Sequence, residues 1–352
     1  MQDEHFRVVR ADKGALLVVP ADAGDAGDAG DASGGEVAPR RVVLDRDGLA
    51  WHAGSGDGDE RIPPTVGDLV LVDDDSVTRI VPRRTALVRD SAGATSRTQA
   101  LAANVDVVLV VEHLDPDPDL GRVERLLTLA WRSGARPVVV LTKSDLVPDP
   151  EAMARDVEHA AIAVDVHPVS AATGEGLDPL RALLAPGVTL VVVGPSGAGK
   201  STLVNALAGR DVMSTGDRRE SDGRGRHTTT HRELVPLPGG AFLVDTPGIR
   251  GIGVVADADA LDTTFADVAE LVARCRFADC RHEGEPSCAV REALESGELD
   301  HRRYDSWRKL AREAAYQARR ADAHLAAQER ARWKRITQDY QRGLRGAGRP
   351  RP

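Results

Sequence analysis

Hydrophobic and polar residues follow two different patterns along the chain. Residues 1–19 and 41–85 contain short stretches in which apolar and polar positions alternate, separated by clusters of Gly, Pro and Asp. Such stretches predict short strands with one buried face, and their number and length favour a small all-β barrel over a sandwich. Residues 21–36 repeat Ala, Gly and Asp, which are too small and polar to pack, so we predict a disordered loop insertion there.

From about residue 96 the apolar runs become continuous. These runs cover 105–112, 137–142, 164–170, 188–194 and 241–245, and helical segments are predicted around 119–133, 150–161, 177–185 and 200–209. Continuous apolar runs are typical of strands buried on both faces, and their alternation with helices predicts a mostly parallel sheet covered on both sides. Residues 232–245 predict a hairpin that turns at PLPGG.

After about residue 260 the sequence favours helices. Segments 261–273 and 289–297 predict helices, 300–343 predicts a long basic helix or helical pair, and the last residues predict a disordered basic tail. We therefore expect a multidomain fold: an N-terminal all-β barrel over 1–85, a central α/β domain over 96–254 and a C-terminal α-helical domain over 260–352.

Charge is distributed unevenly between these regions. The chain carries a net charge of -9, but residues 301–352 hold 15 Lys and Arg against 5 Asp and Glu, so residues 1–300 carry -19. A basic end can bind a polyanion or form a solvated charged helix, and charge alone favours the second. The sequence lacks an apolar run long enough for a membrane span and a signal-peptide core at its N-terminus, so we expect a cytoplasmic protein without a membrane partner.

A phosphate-binding motif, G-x-x-x-x-G-K-[ST], lies between a predicted strand and a predicted helix. Its glycines let backbone N–H groups close around phosphates at the helix N-terminus. The alternative is a plain glycine-rich turn that enters a helix, and the predicted strand and helix on either side disfavour it. We expect Lys200 to contact the β- and γ-phosphates and the Ser201 hydroxyl to bind Mg²⁺. The motif consists of Gly194, Pro195, Ser196, Gly197, Ala198, Gly199, Lys200 and Ser201, and Thr202 follows it.

A second motif indicates which nucleotide base is bound, and it precedes the phosphate loop in the chain. It consists of Thr142, Lys143, Ser144 and Asp145, at the end of a predicted buried strand. A carboxylate there can accept hydrogen bonds from the N1–H and exocyclic amine of guanine, a donor pair that adenine lacks. A second base-contacting loop follows the next strand, and its residues are Ser170, Ala171 and Ala172.

Two further segments are candidates for binding Mg²⁺ and the γ-phosphate. Asp245 ends a predicted strand and can hold Mg²⁺ through water, and the Gly248 N–H can meet the γ-phosphate. Residues 223–231 are rich in Gly and Arg and form either a switch segment that orders on GTP and Mg²⁺ or a plain surface loop. If they form a switch, Thr229 or its neighbour Thr228 binds the Mg²⁺.

The water-orienting glutamine of many GTPases is missing, because Ile249 follows the DTPG string. We therefore expect slow intrinsic hydrolysis that a partner accelerates, since supplied catalytic groups are worth roughly 10³–10⁵ in rate. Besides Lys200 and Thr229, His227 is the internal candidate for a catalytic role. An exposed histidine in such a loop can also simply contact RNA or solvent.

All three cysteines of the chain fall within 14 residues, together with one histidine. They form the pattern Cys275-x4-Cys280-x-His282-x5-Cys288. Three thiolates and one imidazole make a closed tetrahedral zinc set, so we predict a structural Zn²⁺ that stabilises a small helical region. Buried free thiols are the alternative, which the polar intervening residues disfavour.

Taken together, these motifs resemble the circularly permuted GTPases of the ribosome-small-subunit-dependent GTPase A family. The matching strings are TKSD, SAATGEGL, GPSGAGKST, GRGRHTTTHREL, DTPGIR and the Cys/His pattern, in that order, and the resemblance covers nearly the whole chain. It implies an OB-fold as the N-terminal barrel, a permuted P-loop GTPase domain, GTP or GDP as ligand with Mg²⁺, and a C-terminal zinc-binding domain.

The resemblance also implies partners and a role. A protein of this family binds the small ribosomal subunit, hydrolyses GTP when bound there and acts in late maturation of that subunit, with the OB-fold and zinc domain on the rRNA. We expect a monomer. The acidic insertion at 21–36 departs from this picture because it would repel RNA. A non-catalytic GTP sensor and a structural RNA-binding module remain as alternatives to an RNA-activated enzyme.

Overall fold

The N-terminal part of the computed structural model is a closed five-stranded barrel. The structure describes residues 4–12, 14–21, 38–45, 47–52, 60–90, 98–213, 233–245 and 257–319, so most of the predicted insertion at 21–36 lies outside the described residues. The first strands are β1 (His5–Asp12), β2 (Ala15–Pro20), β3 (Arg40–Val43), β4 (Ala50–His52), β5 (Glu60–Ile62), β6 (Leu69–Asp73) and β7 (Ser76–Ile80).

The barrel closes in the order β1–β2–β3–β7–β6–β1, with β3 and β7 parallel and the other pairs antiparallel. Alternate apolar residues of these strands fill its interior, among them Phe6, Val8, Leu16, Val42 and Ile80. This is the five-stranded Greek-key arrangement of an OB-fold, and the predicted barrel is confirmed. The short hairpin β4–β5 is attached to the outer edge of β7.

A second group of strands forms the predicted parallel sheet. Its strands are β10 (Val107–His113), β11 (Arg136–Thr142), β12 (Asp165–Pro168), β13 (Thr189–Val193), β14 (Glu233–Pro236) and β15 (Phe242–Asp245). They lie in the order β12–β11–β10–β13–β15–β14, and within this set only β14 runs antiparallel to its neighbour. The pairing of β14 with β15 confirms the predicted hairpin.

Helices cover both faces of this sheet. They are α1 (Leu120–Ser133), α2 (Pro150–Glu158), α3 (Asp178–Arg181) and α4 (Lys200–Ala208). Valines of β10 alternate between the two cores, because Val108 and Val110 pack with α1 and α2 whereas Val111 packs with α3 and α4. Helix α1 begins after Asp119, whose carboxylate accepts the Arg122 N–H, and ends at Gly134 with φ 80°.

A hairpin that the sequence pattern did not predict lies between the barrel and the sheet. It consists of β8 (Ala86–Asp90) and β9 (Thr98–Ala103), and Leu87 and Leu101 pack into the same core as α1. Gly67 makes this position possible. With φ 85°, it lies so close to β9 that a side-chain Cβ would come within 2.0 Å of the Ala103 carbonyl oxygen.

The barrel and the sheet are joined edge to edge. Strand β1 pairs with β14, with Arg10 opposite Glu233. Beside this pairing, the buried Arg7 donates from Nη1 to the Thr189 hydroxyl at 2.7 Å and to the Gly187 carbonyl at 3.1 Å. Its guanidinium also lies 5.3 Å from the centre of the Phe242 ring. One arginine of the barrel therefore contacts the beginnings of two sheet strands.

The C-terminal described residues form the predicted helical region. Its helices are α5 (Ala258–Thr264), α6 (Ala266–Ala273), α7 (Ala289–Ser296) and α8 over 301–319. A separate apolar core, which includes Phe265, Val268 and Leu310, holds them together. Among the helices of the described ranges, none is long and apolar enough to cross a membrane.

A buried ion network attaches this helical region to α1. Glu124 is fully buried and accepts from Arg302 at 3.0 Å and from Arg303 at 2.9 Å. Arg303 also pairs with Asp267 at 2.8 Å and donates to the Thr264 and Ala160 carbonyls. Burial alone would lower the pKa of Arg303, but hydrogen bonds to Asp267 and Glu124 raise it, so this arginine stays charged.

Replacing Arg303 by alanine should destabilise the protein strongly, because Glu124 would keep only the half-exposed Arg302. Breaking a buried pair costs about 3–5 kcal/mol. We expect a loss of that size in the free energy of unfolding, measured by urea denaturation followed by circular dichroism. Arg125→Ala is the matched control, since its ion pair with Glu313 is about one-third exposed on each side and should contribute less than about 1 kcal/mol. Equal losses in the two variants would contradict the role given to the network.

Candidate functional site

The predicted phosphate and base motifs meet at one edge of the sheet. Strands β10, β11, β12, β13 and β15 are parallel, so their carboxyl ends lie side by side. The 142–145 motif follows β11, the 170–172 loop follows β12, the 194–201 loop follows β13, and Asp245 ends β15. Ligands of open α/β sheets bind outside these carboxyl ends. The base motif and the phosphate loop therefore lie at the same edge of the sheet, although the base motif comes first in the chain.

The phosphate loop passes tightly over the neighbouring strand. Gly194 has φ 149°, and a Cβ there would lie 2.1 Å from the Val111 carbonyl oxygen of β10, so only glycine fits. Gly199, at φ 76°, precedes the first turn of α4. Lys200 extends back over the loop, and its ammonium donates to the Gly194 carbonyl at 2.9 Å and to that of Pro195. This places its charge where a phosphate at the helix N-terminus would lie.

Thr142 connects the base motif to the phosphate loop. Its buried hydroxyl lies 2.7 Å from the Ala198 carbonyl oxygen and 3.2 Å from that of Glu112, and it donates its single hydrogen between them. The Cβ position of Gly199 lies 3.5 Å from the same hydroxyl. A substitution of Thr142 would therefore alter the position of both motifs.

The remaining base-motif residues are held by short local contacts. Lys143 adopts a left-handed backbone at φ 62° and donates from Nζ to the Asp115 carbonyl at 3.1 Å. Asp145 is exposed and lies in the 3₁₀ turn Ser144–Leu146. An exposed carboxylate at a strand end is open to an incoming base.

The two predicted base loops also touch one another. The Ser144 N–H donates to the Val169 carbonyl at 3.2 Å, and the buried Ser170 hydroxyl accepts the Thr173 N–H at 3.1 Å. Ala171 is half-buried and Ala172 is exposed beside them. The structure therefore brings together the base-loop residues that the sequence predicted.

On the magnesium side, the structure describes only part of the prediction. Ser201 is half-buried in the first turn of α4, and β15, which ends at Asp245, runs beside β13. The Asp245 side chain, Gly248, His227 and Thr229 lie outside the described residues and side chains.

One pair of residues near the site was missed by sequence reasoning. Glu112, in β10, is fully buried, and Arg122 of α1 donates to its two carboxylate oxygens at 2.7 and 3.0 Å. The available signal was an acidic residue at the end of the apolar run 105–112, followed by an arginine in the next helix. An acidic residue at that place is equally typical of a strand that ends at the surface.

The Cys/His residues come together in the C-terminal helical region. Cys275 follows α6, Cys288 precedes the first turn of α7, and the ligand atoms of Cys275, Cys280, His282 and Cys288 all lie within 4.8 Å of one another. The closest atoms are 3.4–4.0 Å apart. A tetrahedral ion with bonds of about 2.0–2.3 Å has edges of about 3.5–3.8 Å, so the four residues fit one metal ion.

Protonation in the cluster also suits metal binding. Burial lowers the pKa of His282, which favours the neutral imidazole that a metal needs. Burial opposes ionisation of Cys275, but the backbone N–H groups of Val290 and Ala289 outweigh it and lower its pKa. Desolvation and the neighbouring thiols raise the pKa of Cys280 to about 11. A divalent cation would remove this penalty by pairing with the thiolates.

Comparisons with known proteins agree with this geometry. The RsgA GTPase family model matches residues 80–255. A small ribosomal subunit biogenesis GTPase RsgA of Streptomyces coelicolor is 47% identical over 332 residues, 94% of this chain and 85% of the relative. The protein of the same name from Opitutus terrae is 49% identical over 271 residues, 77% of this chain and 74% of the relative.

This chain belongs to the RsgA GTPase family. It is a GTP hydrolase with a circularly permuted GTPase fold, as the motif order predicted. Crystal structures of YjeQ from Thermotoga maritima and of YloQ, a circularly permuted GTPase, show the same fold with TM-scores of 0.60 and 0.57. They cover 89% of this chain at 24% and 23% identity, and this chain covers 98% and 96% of theirs.

Asp145→Asn tests the base motif of this GTPase. An amide N–H facing the guanine N1–H leaves buried donors unpaired, so we expect affinity for fluorescently labelled GDP to fall about 100-fold or more. Asp149→Asn is the matched control, because Asp149 only caps α2 and asparagine caps a helix equally well. An Asp145→Asn protein that binds GDP like the control would show that the base lies elsewhere.

Proposed function

We propose that this protein binds the small ribosomal subunit, is stimulated by it and acts in its late maturation, with GTP hydrolysis driving its release. The observation that carries the proposal is the 47% identity along 94% of this chain to a small ribosomal subunit biogenesis GTPase. The joined phosphate and base motifs supply a nucleotide site, and the Cys/His region and barrel supply two surfaces outside it.

We assign nucleotide contacts to the residues at the sheet edge. Thr142 to Asp145 and Ser170 to Ala172 hold guanine, while Gly194 to Thr202 and the Gly248 N–H surround the phosphates. Ser201, Thr229 and Asp245 would hold Mg²⁺, which would neutralise negative charge on the β- and γ-phosphates. The position of the Lys200 ammonium over the loop supports this assignment.

Hydrolysis in this site depends on positioning and charge stabilisation. Lys200 balances negative charge on the transferred phosphoryl group, and water attacks in line with the bond to the leaving β-phosphate. Since Ile249 cannot orient that water, we assign the task to His227, placed correctly when the subunit orders the 223–231 segment. Thr229 in the same segment would supply a hydroxyl oxygen to Mg²⁺.

We assign Zn²⁺ to the Cys/His cluster, where it acts structurally. The four side chains leave no open coordination position, so the ion holds α6, α7 and the loop between them together. Tyr304 and Trp307 of α8 lie against His282, with ring centres 6.5 and 6.2 Å away, which couples the ion to the helix that contacts α1. The zinc therefore supports the attachment of the whole helical region.

The domain roles follow from these placements. We assign residues 1–85 to an OB-fold RNA-binding domain with an acidic insertion at 21–36, 96–254 to the GTPase domain, and 260–352 to a zinc-binding domain with a basic tail. The OB-fold and zinc domain contact rRNA, and the Arg-rich end contacts its phosphates. Because the barrel is paired to β14 beside β15, loss of the γ-phosphate moves the barrel relative to the zinc domain. The protein acts as a cytoplasmic monomer.

The zinc assignment predicts one equivalent of zinc per chain, measured by mass spectrometry of the purified protein. Cys280→Ser removes a thiolate ligand and should reduce zinc to less than half an equivalent, whereas Asp279→Asn, an exposed neighbour, should leave it unchanged. Wild-type protein with less than half an equivalent would exclude a structural zinc site.

GTP hydrolysis with and without purified small subunits tests the proposed function. We expect stimulation of about 10³-fold or more, within the roughly 10³–10⁵ that supplied catalytic groups can give, and none from large subunits. His227→Ala should abolish the stimulation, with His231→Ala as the control in the same segment. Subunit binding that does not distinguish GTP from GDP, without stimulated turnover, would indicate a structural module instead.

A further inference from the structure

Three charged side chains in the first half of helix α1 pair with two other parts of the molecule, β10 and α8. Arg122 pairs with Glu112 of β10, Glu124 with Arg303 of α8, and Arg125 with Glu313 of α8. The second and third pairs attach the C-terminal helical region. The first pair lies at the end of β10, where the Glu112 carbonyl contacts Thr142 of the base motif. The motifs assign nothing to Glu112 or Arg122.

The end of β10 supplies the partners of the base motif. The Glu112 carbonyl lies 3.2 Å from the Thr142 hydroxyl, and the Leu114 N–H donates to the Thr142 carbonyl at 3.0 Å. The next carbonyl, that of Asp115, accepts the Lys143 ammonium at 3.1 Å. Residues 112–115 therefore hold both Thr142 and Lys143 in place.

The position of residues 112–115 is fixed in turn by the Glu112 carboxylate. It is fully buried, and its two oxygens receive the Arg122 Nε at 2.7 Å and Nη2 at 3.0 Å in a two-pronged contact. The hydrogen bond that Arg122 donates to Glu112 is the main cause that raises the pKa of Arg122. His113 Nε2 lies 3.5 Å from the same carboxylate. A carboxylate left unpaired at this depth would take up a proton or draw in water, and either change moves the strand end.

We propose that Glu112 and Arg122 are a positioning pair for guanine nucleotide binding, acting through Thr142 and Lys143 rather than touching the nucleotide. The inference rests on the nucleotide site proposed above and adds a second layer of residues to it. The base is bound alike in the ground state and the transition state. Loss of the pair should therefore raise Kd and KM and leave kcat nearly unchanged.

Titration with fluorescently labelled GDP and steady-state GTP hydrolysis test the pair. We expect Arg122→Gln to raise Kd for GDP and KM for GTP about 10- to 100-fold, with kcat within about threefold. Arg122→Lys, which restores the charge but not the two-pronged contact, should recover part of the affinity. Arg132→Gln is the matched control, because Arg132 lies in the same helix and pairs with Asp257. It should change Kd less than about twofold.

A double variant separates positioning from folding. Glu112→Gln with Arg122→Gln removes both charges and leaves no buried carboxylate, so it should fold even where Arg122→Gln does not. Its Kd should be much closer to that of Arg122→Gln alone than the sum of two independent losses predicts. The proposal is overturned if Arg122→Gln or the double variant binds GDP within twofold of wild type, or if Arg132→Gln weakens binding equally. Lys200→Ala with unchanged GTP affinity would instead reject the nucleotide site itself.

Discussion

The parallel pairing of β10 with strands on both sides holds together the motifs of the proposed nucleotide site. Val107 to Val110 pair with β13 on one side, and Val107 to His113 pair with β11 on the other. The phosphate loop follows β13 and the base motif follows β11, so this pairing sets their separation. The tight passage of Gly194 over Val111 and the Thr142 hydroxyl between two carbonyls both depend on it. Chain order can be permuted without loss of the site as long as this register is kept.

Much of the fold could be predicted from local pattern. Continuous valine runs predicted the ends of β10, β11 and β13 to within two residues. Strands buried on both faces are almost continuously apolar, so their bounds are marked by the first polar residue on each side. The clustering of the three cysteines with His282 could be predicted for a similar reason, since their chemistry and spacing are local. The β8–β9 hairpin was missed because its alanines and threonine are small and do not produce a clear alternation of apolar and polar positions. Its position also depends on packing against α1, which lies later in the chain.

The ion pairs of Glu124 could not be predicted, because they join residues 178 and 179 positions apart in the chain. Glu124 lies on a helix whose polar residues are expected to face water, yet it is fully buried under Arg302 and Arg303 of α8. Aromatic residues make up only 3% of the chain, and arginine takes over part of their role at these contacts. Arg303 lies 4.6 Å from the centre of the Phe265 ring, and Arg7 packs on Phe242. The planar guanidinium suits both stacking and two-pronged pairing, which lysine does not.

The joint between β1 and β14 has a consequence for the order in which the molecule is built during translation. All five barrel strands lie within the first 80 residues, so the barrel can close soon after it leaves the ribosome. Its docking partners, however, are synthesised much later. The two residues that Arg7 contacts lie 180 and 182 positions further along the chain, and Arg10 pairs with Glu233. The nascent barrel therefore remains a tethered, undocked unit until the last sheet strands emerge.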